Sequence, residues 1–194
     1  MIELVFASNN IHKIEEIKNL LPSFLNLKSL NELNFNGDIE ENAQTIEGNA
    51  LLKAKFIAEN YNCNCFSDDS GLEVEALNGA PGVHSARYAG LPKNDANNRK
   101  KLLKELQFSN NKNAQFKTVI CLILNNNIYY FTGIIKGKII NDEKGNNGFG
   151  YDAIFIPNGY DKTFAEMSFS EKTKISHRAI ALNKMIDFLE NHQK

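Results

Sequence analysis

A chain of 194 residues with a net charge of −1 and 42% hydrophobic residues has the composition of an ordinary globular protein. This length suits one domain and is enough to bury a sizeable core without disulfide bonds. A charge so close to neutral excludes the broad basic surface typical of proteins that bind duplex nucleic acid. We therefore predict no nucleic-acid partner and expect any anionic ligand to be bound by a few placed cations.

The cysteines and the hydropathy pattern indicate the compartment. Cys63, Cys65 and Cys121 are odd in number and lack metal-ligand spacing, so we predict buried, reduced thiols in a reducing environment. The first residues lack the basic segment of a signal peptide, and no run approaches the ~20 apolar residues that span a bilayer. These features predict a cytoplasmic protein that does not contact the membrane.

The first half of the chain alternates apolar runs with amphipathic patterns. Ile2–Ala7 reads as a buried strand bounded by the turn formers Ser8–Asn10, and a helix is predicted over Ile11–Leu21, ended by Pro22. A strand, a polar turn and a helix in this order direct the amide groups of the helix N-terminus at an anion. The next predicted elements are a helix over Thr45–Asn60, a strand over Cys63–Ser67 stopped by Asp68–Gly71, and a strand over Leu72–Leu77.

The second half predicts a polar helix and a long hairpin. The helix covers Asn94–Leu106, and strands Gln115–Leu124 and Ile128–Ile140 are joined at Asn125–Asn127. The remaining elements are a glycine-rich loop at Gly145–Gly150, a short strand over Ala153–Ile156, and a last helix over Ser176–Asn191. No linker separates them, so residues 1–194 are predicted to form a single α/β domain with a mixed sheet.

Two acidic pairs are candidate metal ligands. Asp68-Asp69 follows an apolar strand, and Glu40-Glu41 comes shortly before the helix predicted from Thr45. Mg²⁺ commonly uses one or two carboxylates together with substrate phosphates. The alternatives are an ordinary turn at the aspartates, and glutamates that only favour the positive end of the helix.

Cations and aromatic groups supply further candidates. Ser8–Lys13 surrounds a helix start with a hydroxyl, amides and a lysine, which suits a triphosphate, although simple helix capping is the alternative. Lys53 lies near an apolar stripe, where a lysine needs an anionic partner or an exit to solvent. The loop at Gly148–Asp152 offers the Phe149 ring for stacking, and Ser176-His177-Arg178 offers hydrogen-bond donors.

Together and in this order, these motifs resemble the inosine triphosphate pyrophosphatase family. The matching blocks are Ser8-x-Asn10-x-x-Lys13, Thr45 with Asn49-Ala50 and Lys53-Ala54, Asp68-Asp69-Ser70-Gly71-Leu72, Gly79-Ala80-Pro81-Gly82-Val83-x-Ser85-Ala86-Arg87-Tyr88, Gly148-Phe149-Gly150-Tyr151-Asp152, and Glu171-Lys172-x-x-Ile175-Ser176-His177-Arg178.

The resemblance implies an elongated, mixed β-sheet flanked by helices, with two lobes and a central substrate cleft, assembled as a homodimer. It implies a Mg²⁺-dependent hydrolase that converts ITP, dITP and XTP to the monophosphate and pyrophosphate. Asp69 would be the catalytic base, with the metal held by Asp69 and by Glu40 or Glu41. The implied substrate-binding residues are Ser8, Asn9, Asn10, Ile11, His12, Lys13, Lys53, Ser70, Phe149, Gly150, Tyr151, Asp152, Lys172, His177 and Arg178.

Two other interpretations stay open from the sequence. One is a nucleotide-binding module without catalysis, which requires that the carboxylates be structural. The other is a Maf-like pyrophosphatase with a different base preference, a type of protein that lacks the Ser176-His177-Arg178 block present here.

Overall fold

The computed structural model describes residues 1–192 and groups them into two compact units. The first unit comprises Met1–Asp69, Thr118–Gly133 and the chain from Arg178 onward. The second unit comprises Ser70–Lys117 and Ile134–His177.

Eleven helices and strands make up the regular structure of residues 1–192, apart from short 3-10 turns. The strands are β1 (Ile2–Phe6), β2 (Leu25–Lys28), β3 (Cys65–Val74), β4 (Asn113–Leu124), β5 (Asn127–Ile139) and β6 (Phe155–Pro157). The helices are α1 (Ile11–Lys18), α2 (Ile46–Tyr61), α3 (Asp95–Leu106), α4 (Phe169–Ile175) and α5 (His177–His192).

The strands form one six-stranded sheet in the order β2-β1-β3-β4-β5-β6. Strand β1 runs parallel to β2, with Ile2 opposite Leu25, and parallel to β3, with Val5 opposite Cys65. Strands β5 and β6 are antiparallel, with Lys138 opposite Ile156. A mixed sheet with helices confirms the predicted α/β class.

Helices cover both faces of the sheet in the first unit. On one face, apolar side chains of α1 and α5 pack against β1, β3 and β4 in a cluster that includes Phe6, Ile17 and Leu182. On the other face, β3 is hydrogen-bonded to helix α2, where the Cys65 thiol donates to the Ala54 carbonyl at 3.1 Å. Because neighbouring strand residues face opposite ways, β3 presents Phe66 to one layer and Cys65 to the other.

The second unit has its own apolar core. Helix α3 contributes Leu102 and Leu106, and the strands contribute Phe116 and Phe155, whose ring centroids lie 4.7 Å apart in an edge-on arrangement. Phe164 joins the same group of aromatic rings. The loop before α4 is thereby anchored by an aromatic side chain.

The prediction of a turn at Asp68–Gly71 was wrong, because β3 continues from Cys65 through Val74. The predicted second strand, Leu72–Leu77, is the end of β3 followed by a 3-10 turn over Glu75–Leu77. Asp, Ser and Gly favour turns when only local preferences act. Here the Asp68 carboxylate is neutralised by lysine and arginine, so the usual cost of burying it in a strand is offset.

Other helix and strand boundaries also differ from the predicted ones. Helix α1 ends at Lys18, three residues before the predicted Leu21. The strand predicted at Ala153–Ile156 is a 3-10 turn over Asp152–Ile154 followed by β6. Strand β2 and helix α4 were not predicted. Helix α4 has a recognisable start, however, because Ser168 and Glu171 form a reciprocal capping box.

The hairpin prediction was confirmed, and the cysteine prediction was confirmed in part. Asn125 and Asn126 both have positive φ, 49° and 65°, as a two-residue hairpin turn between β4 and β5 requires. All three thiols are free, and Cys65 and Cys121 are buried, but Cys63 is only half-buried. No helix within residues 1–192 is long and apolar enough to cross a membrane.

Candidate active site

The start of helix α1 is shaped by side chains that bind the backbone. The Asn10 side chain caps the helix by accepting a hydrogen bond from the Lys13 amide at 3.2 Å, and the Ser8 hydroxyl accepts one from the Asn10 amide at 3.2 Å. Asn9 donates to the Gly37 carbonyl at 3.0 Å. These contacts hold the turn after β1 in one shape and direct the first turn of α1, which carries Ile11, His12 and Lys13.

Asp68 holds cationic side chains that come from three different helices. Its carboxylate accepts hydrogen bonds from Lys13 Nζ at 3.0 Å and from Arg178 Nε at 3.1 Å. Its backbone carbonyl accepts one from Lys53 Nζ at 2.7 Å. Arg178 also forms an ion pair with Glu16 of α1. Lys13, Lys53 and Arg178 are thus gathered around one fully buried carboxylate.

The charges around Asp68 decide its protonation. Complete burial acts to raise the pKa of this carboxyl, but Lys13, Arg178 and Lys53 more than offset burial and hold the pKa well below its usual range. The same pairing raises the pKa of Arg178, although burial acts against it. The ionised form of Asp68 is therefore favoured, and both of its carboxylate oxygens bind cationic side chains.

Asp69 lies on the opposite face of β3 and has a different environment. It accepts a hydrogen bond from the Asn49 side chain at 3.3 Å, and Lys53 Nζ lies 3.9 Å from its other oxygen. Burial raises the pKa of Asp69 above its usual value, although Lys53 and Lys13 act to lower it. Two adjacent aspartates thus have pKa values displaced in opposite directions, which is typical of a pair with separate acid–base roles.

Only one of the two candidate glutamates lies at this cluster. Glu41 forms an ion pair with Lys53 at 2.5 Å and its side chain is 26% exposed, whereas Glu40 is exposed to solvent. Lys53 therefore contacts Glu41 directly and lies near Asp69. Among residues 1–192, no group of three or more His, Cys, Asp or Glu side chains could hold a metal ion on its own.

In the second unit, Lys172 and Asp152 form a buried ion pair at 2.6 Å. Asp152 also accepts the Phe149 amide hydrogen at 2.9 Å, and Lys172 Nζ lies 4.9 Å from the centroid of the Phe149 ring. His177 is stacked on Phe116, with ring centroids 4.7 Å apart. An aromatic ring, a cation and a carboxylate are thereby placed together on one loop and one helix.

The sequence pattern of the Ham1 family matches residues 4–188. The chain belongs to the Ham1 family. A dITP/XTP pyrophosphatase from Flavobacterium psychrophilum is 55% identical over 190 residues, covering 98% of this chain and 100% of that protein. A dITP/XTP pyrophosphatase from Porphyromonas gingivalis is 48% identical over 190 residues, with 97% and 98% coverage.

Solved structures agree with this membership. The Ham1 protein of Staphylococcus aureus has a TM-score of 0.90 at 43% identity, covering 98% of this chain and 99% of that one. A HAM1 protein from Coxiella burnetii has a TM-score of 0.92 at 37% identity, covering 98% and 100%. The resemblance inferred from the motifs is confirmed.

The predicted site residues of this Ham1 chain fall into two groups. In the first unit, the structure brings together Lys13, Glu41, Lys53, Asp69 and Arg178. In the second unit it brings together Phe149, Asp152 and Lys172. Glu40 is exposed to solvent. The roles of these residues in binding substrate and metal stay predictions.

Sequence reasoning missed Glu16 and the contact between Asn49 and Asp69. Glu16 lies between the apolar Ile14 and Ile17 on α1 and is 6% exposed, so a charged residue next to an apolar helix stripe was the available signal. Asn49 was part of a motif block, but nothing local shows that its side chain reaches Asp69, twenty positions along the chain.

Proposed function

We propose that this chain hydrolyses purine nucleoside triphosphates of the dITP and XTP type, including ITP, to the monophosphate and pyrophosphate. The observation that carries the proposal is the arrangement around β3, where Lys13, Lys53 and Glu41 surround adjacent aspartates. The substrate class comes from the relatives, which are dITP/XTP pyrophosphatases matched over nearly their whole length.

Lys13 and Lys53 are proposed to hold the triphosphate. Lys13 projects from the first turn of α1, where the positive end of the helix dipole favours an anion. Its side chain is 13% exposed and that of Lys53 is 8% exposed, so both ammonium groups act in a largely dehydrated setting, where charge interactions are strong. The turn of Ser8, Asn9 and Asn10, with Ile11 and His12, would add backbone amides and polar side chains.

Asp69 is proposed as the general base. It would accept a proton from the water that attacks the α-phosphorus, while the bond from that phosphorus to the bridging oxygen breaks and pyrophosphate leaves. Asn49 holds one carboxylate oxygen and Lys53 lies near the other, so the orientation of the base is set by α2. Asp68 cannot take this role because both of its oxygens bind cations.

Asp69 and Glu41 fit a magnesium site. Mg²⁺ binds through one or two carboxylates and completes its coordination with water and phosphate oxygens, so two protein ligands are sufficient. Glu41 is the better candidate because Lys53 links it to the aspartates, whereas Glu40 is exposed. When bound, magnesium would neutralise negative charge on the triphosphate.

The base and the sugar are proposed to bind at the remaining residues. The Phe149 ring would stack on the purine. Asp152, Lys172 and His177 would hydrogen-bond the base and the sugar, and Ser70, Gly150 and Tyr151 would line the same site. The family motifs also assign Arg178 to the substrate; in the structure its Nε and Nη1 bind Asp68 and Glu16. These assignments rest on the family motifs, and the Asp152–Lys172 ion pair next to Phe149 supports them.

A coupled phosphate assay tests the proposal. The purified chain is incubated with ITP, XTP, dITP, GTP and ATP and Mg²⁺, and phosphate is measured with and without inorganic pyrophosphatase. We expect phosphate from ITP, dITP and XTP only when pyrophosphatase is present, with much weaker hydrolysis of ATP. Release of phosphate without the coupling enzyme would show that the γ-phosphate is cut instead.

A further inference from the structure

Helix α3 contacts the loop that carries Phe149 through two side chains one helical turn apart. The Asp95 carboxylate accepts the Gly150 amide hydrogen at 2.7 Å, and Arg99 Nη1 donates to the Gly150 carbonyl at 2.8 Å. Positions i and i+4 lie on the same helix face, so one rigid surface binds both polar groups of one loop residue. Neither residue belongs to the family motifs quoted above.

Arg99 forms a second contact with the other nitrogen of its guanidinium. Nη2 forms an ion pair with Glu143 at 2.9 Å, and the Arg99 side chain is only 16% exposed. The two Nη groups of a planar guanidinium form a rigid fork that can bind a carbonyl and a carboxylate at the same time. A lysine ammonium at the end of a flexible chain does not have this fork. Arginine is also rare in this chain, at three of the 22 basic residues.

The contacts fix the backbone on both sides of Phe149. Before it, the Phe149 amide is bound by Asp152; after it, the Gly150 amide is bound by Asp95 and the Gly150 carbonyl by Arg99. Gly150 has a φ of +63°, a conformation that side-chain-bearing residues rarely adopt. With the adjacent peptide groups held, the direction of the Phe149 ring depends on its side-chain torsions alone.

We propose that Asp95 and Arg99 are positioning residues that set the Phe149 ring for stacking on the purine base. The inference rests on the proposed function, in which Phe149 contacts the substrate. Asp95 and Arg99 do not contact the reacting atoms. They act through the loop Gly148–Asp152, called the Phe149 loop below, and their loss weakens substrate binding more than it slows the chemical step.

A double-mutant cycle with Phe149 tests this coupling. Arg99→Ala is measured in the natural chain and in Phe149→Ala, with ITP as substrate and kcat and KM determined separately. In the natural background we expect a loss in kcat/KM of about tenfold, mainly through KM, as for a hydrogen bond to a charged group. In the Phe149→Ala background the same change has an effect of less than about twofold, because the ring to be positioned is gone.

Conservative variants and a matched control separate positioning from folding. Asp95→Asn keeps an acceptor for the Gly150 amide and retains most activity, whereas Asp95→Ala does not. Lys100→Ala removes an exposed basic residue of the same helix and leaves the kinetics unchanged. If thermal melts show that Arg99→Ala is unfolded, the cycle is run with Arg99→Lys, which keeps the charge and loses the fork.

The outcomes distinguish this inference from the proposed function. If the natural chain hydrolyses none of the purine triphosphates, the proposed function fails before any variant is compared. If it hydrolyses ITP but Arg99→Ala has no effect, or the same effect with and without Phe149, then the positioning role is wrong. If Phe149→Ala has the same kcat and KM as the unsubstituted chain, the positioning role is also wrong.

Discussion

At the scale of single residues, the main feature is the division between Asp68 and Asp69. They are neighbours on β3, and alternation along the strand sends their side chains to opposite faces. Asp68 meets Lys13 and Arg178, and Asp69 meets Asn49 and Lys53. Two carboxylates separated by one peptide bond therefore serve different purposes, one in binding cations and the other in the proposed chemistry.

Asp69→Asn should lower kcat for ITP by about 10²- to 10⁴-fold, because an amide cannot accept the proton. We expect little change in the melting temperature, since asparagine fits the same position. Steady-state kinetics and thermal unfolding monitored by circular dichroism measure both quantities.

The neighbouring Asp68→Asn is the matched comparison. It takes the carboxylate away from Lys13 and from Arg178, which then keeps its ion pair with Glu16, so we expect a loss of about 3–5 kcal/mol in the free energy of unfolding, mainly from Lys13. If Asp68→Asn were as stable as the natural chain, or Asp69→Asn as active, the division between the two aspartates would be wrong.

The two glutamates provide a second contrast. Glu41→Gln should raise the Mg²⁺ concentration needed for half-maximal activity, because a carboxylate ligand becomes a neutral amide. Glu40→Gln should behave as the natural chain, since Glu40 is exposed to solvent. Magnesium titrations of activity compare the variants, and excess EDTA should abolish turnover in all of them. Equal shifts for both variants would remove the assignment to Glu41.

At the scale of elements, strand β3, helices α1, α2, α4 and α5, and the loop that carries Phe149 supply the groups of the candidate site. Asn10 caps helix α1 and Thr45 caps helix α2, and each capping side chain accepts a backbone hydrogen bond from its own helix. The Phe149 loop is held differently, by bonds from Asp152 and from helix α3. Capped helix ends and hydrogen-bonded loops hold the site residues in fixed positions, as catalytic geometry requires.

Gly148 should be the most sensitive glycine of the Phe149 loop. Its φ is +76°, and a Cβ atom there would overlap the Asp152 carboxylate, which holds Lys172 and the Phe149 amide. Gly148→Ala should therefore cost stability, by about 1–3 kcal/mol from backbone strain alone. It should also raise KM for ITP.

Gly159→Ala is the control for this change. Its φ is similar, +85°, but a Cβ atom there meets nothing within 4 Å. Gly159→Ala should lower the free energy of unfolding through the same backbone strain, but it should leave KM for ITP unchanged. Denaturant unfolding and ITP kinetics measure the two effects, and an unchanged KM for Gly148→Ala would contradict the role given to Asp152.

At the scale of the whole molecule, each compact unit has its own apolar core. The first is built from α1, α5 and β-strand residues such as Phe6 and Phe66, and the second from α3 and an aromatic group around Phe116. Strands β3, β4 and β5 each contribute residues to both units. The single domain predicted from the sequence stays a prediction.

The homodimer implied by the family resemblance is also a prediction at this scale. Light scattering coupled to size-exclusion chromatography should give about twice the chain mass of 21.8 kDa. The mass should persist on dilution if the interface has the size of a stable homodimer. A mass of one chain at all concentrations would show that the chain works as a monomer.

Local preferences were enough to predict much of this protein from its sequence. Asn10 and Thr45 mark helix starts, and Asn125-Asn126 marks a hairpin, because a cap or a tight turn is decided by residues within four positions of one another. The order of the motif blocks was enough to predict the family and, with it, the candidates Lys13, Asp69 and Lys172.

Contacts between distant parts of the chain could be decided only by the tertiary structure. The strand at Asp68–Gly71 forms although the residues there favour a turn, because Lys13 and Arg178 neutralise Asp68. Glu41 is distinguished from Glu40 by Lys53, and Arg178 meets Glu16 across 162 positions of sequence. Ion pairs of this kind leave no periodic pattern in the sequence, since each partner lies on a different element and only packing brings the two together.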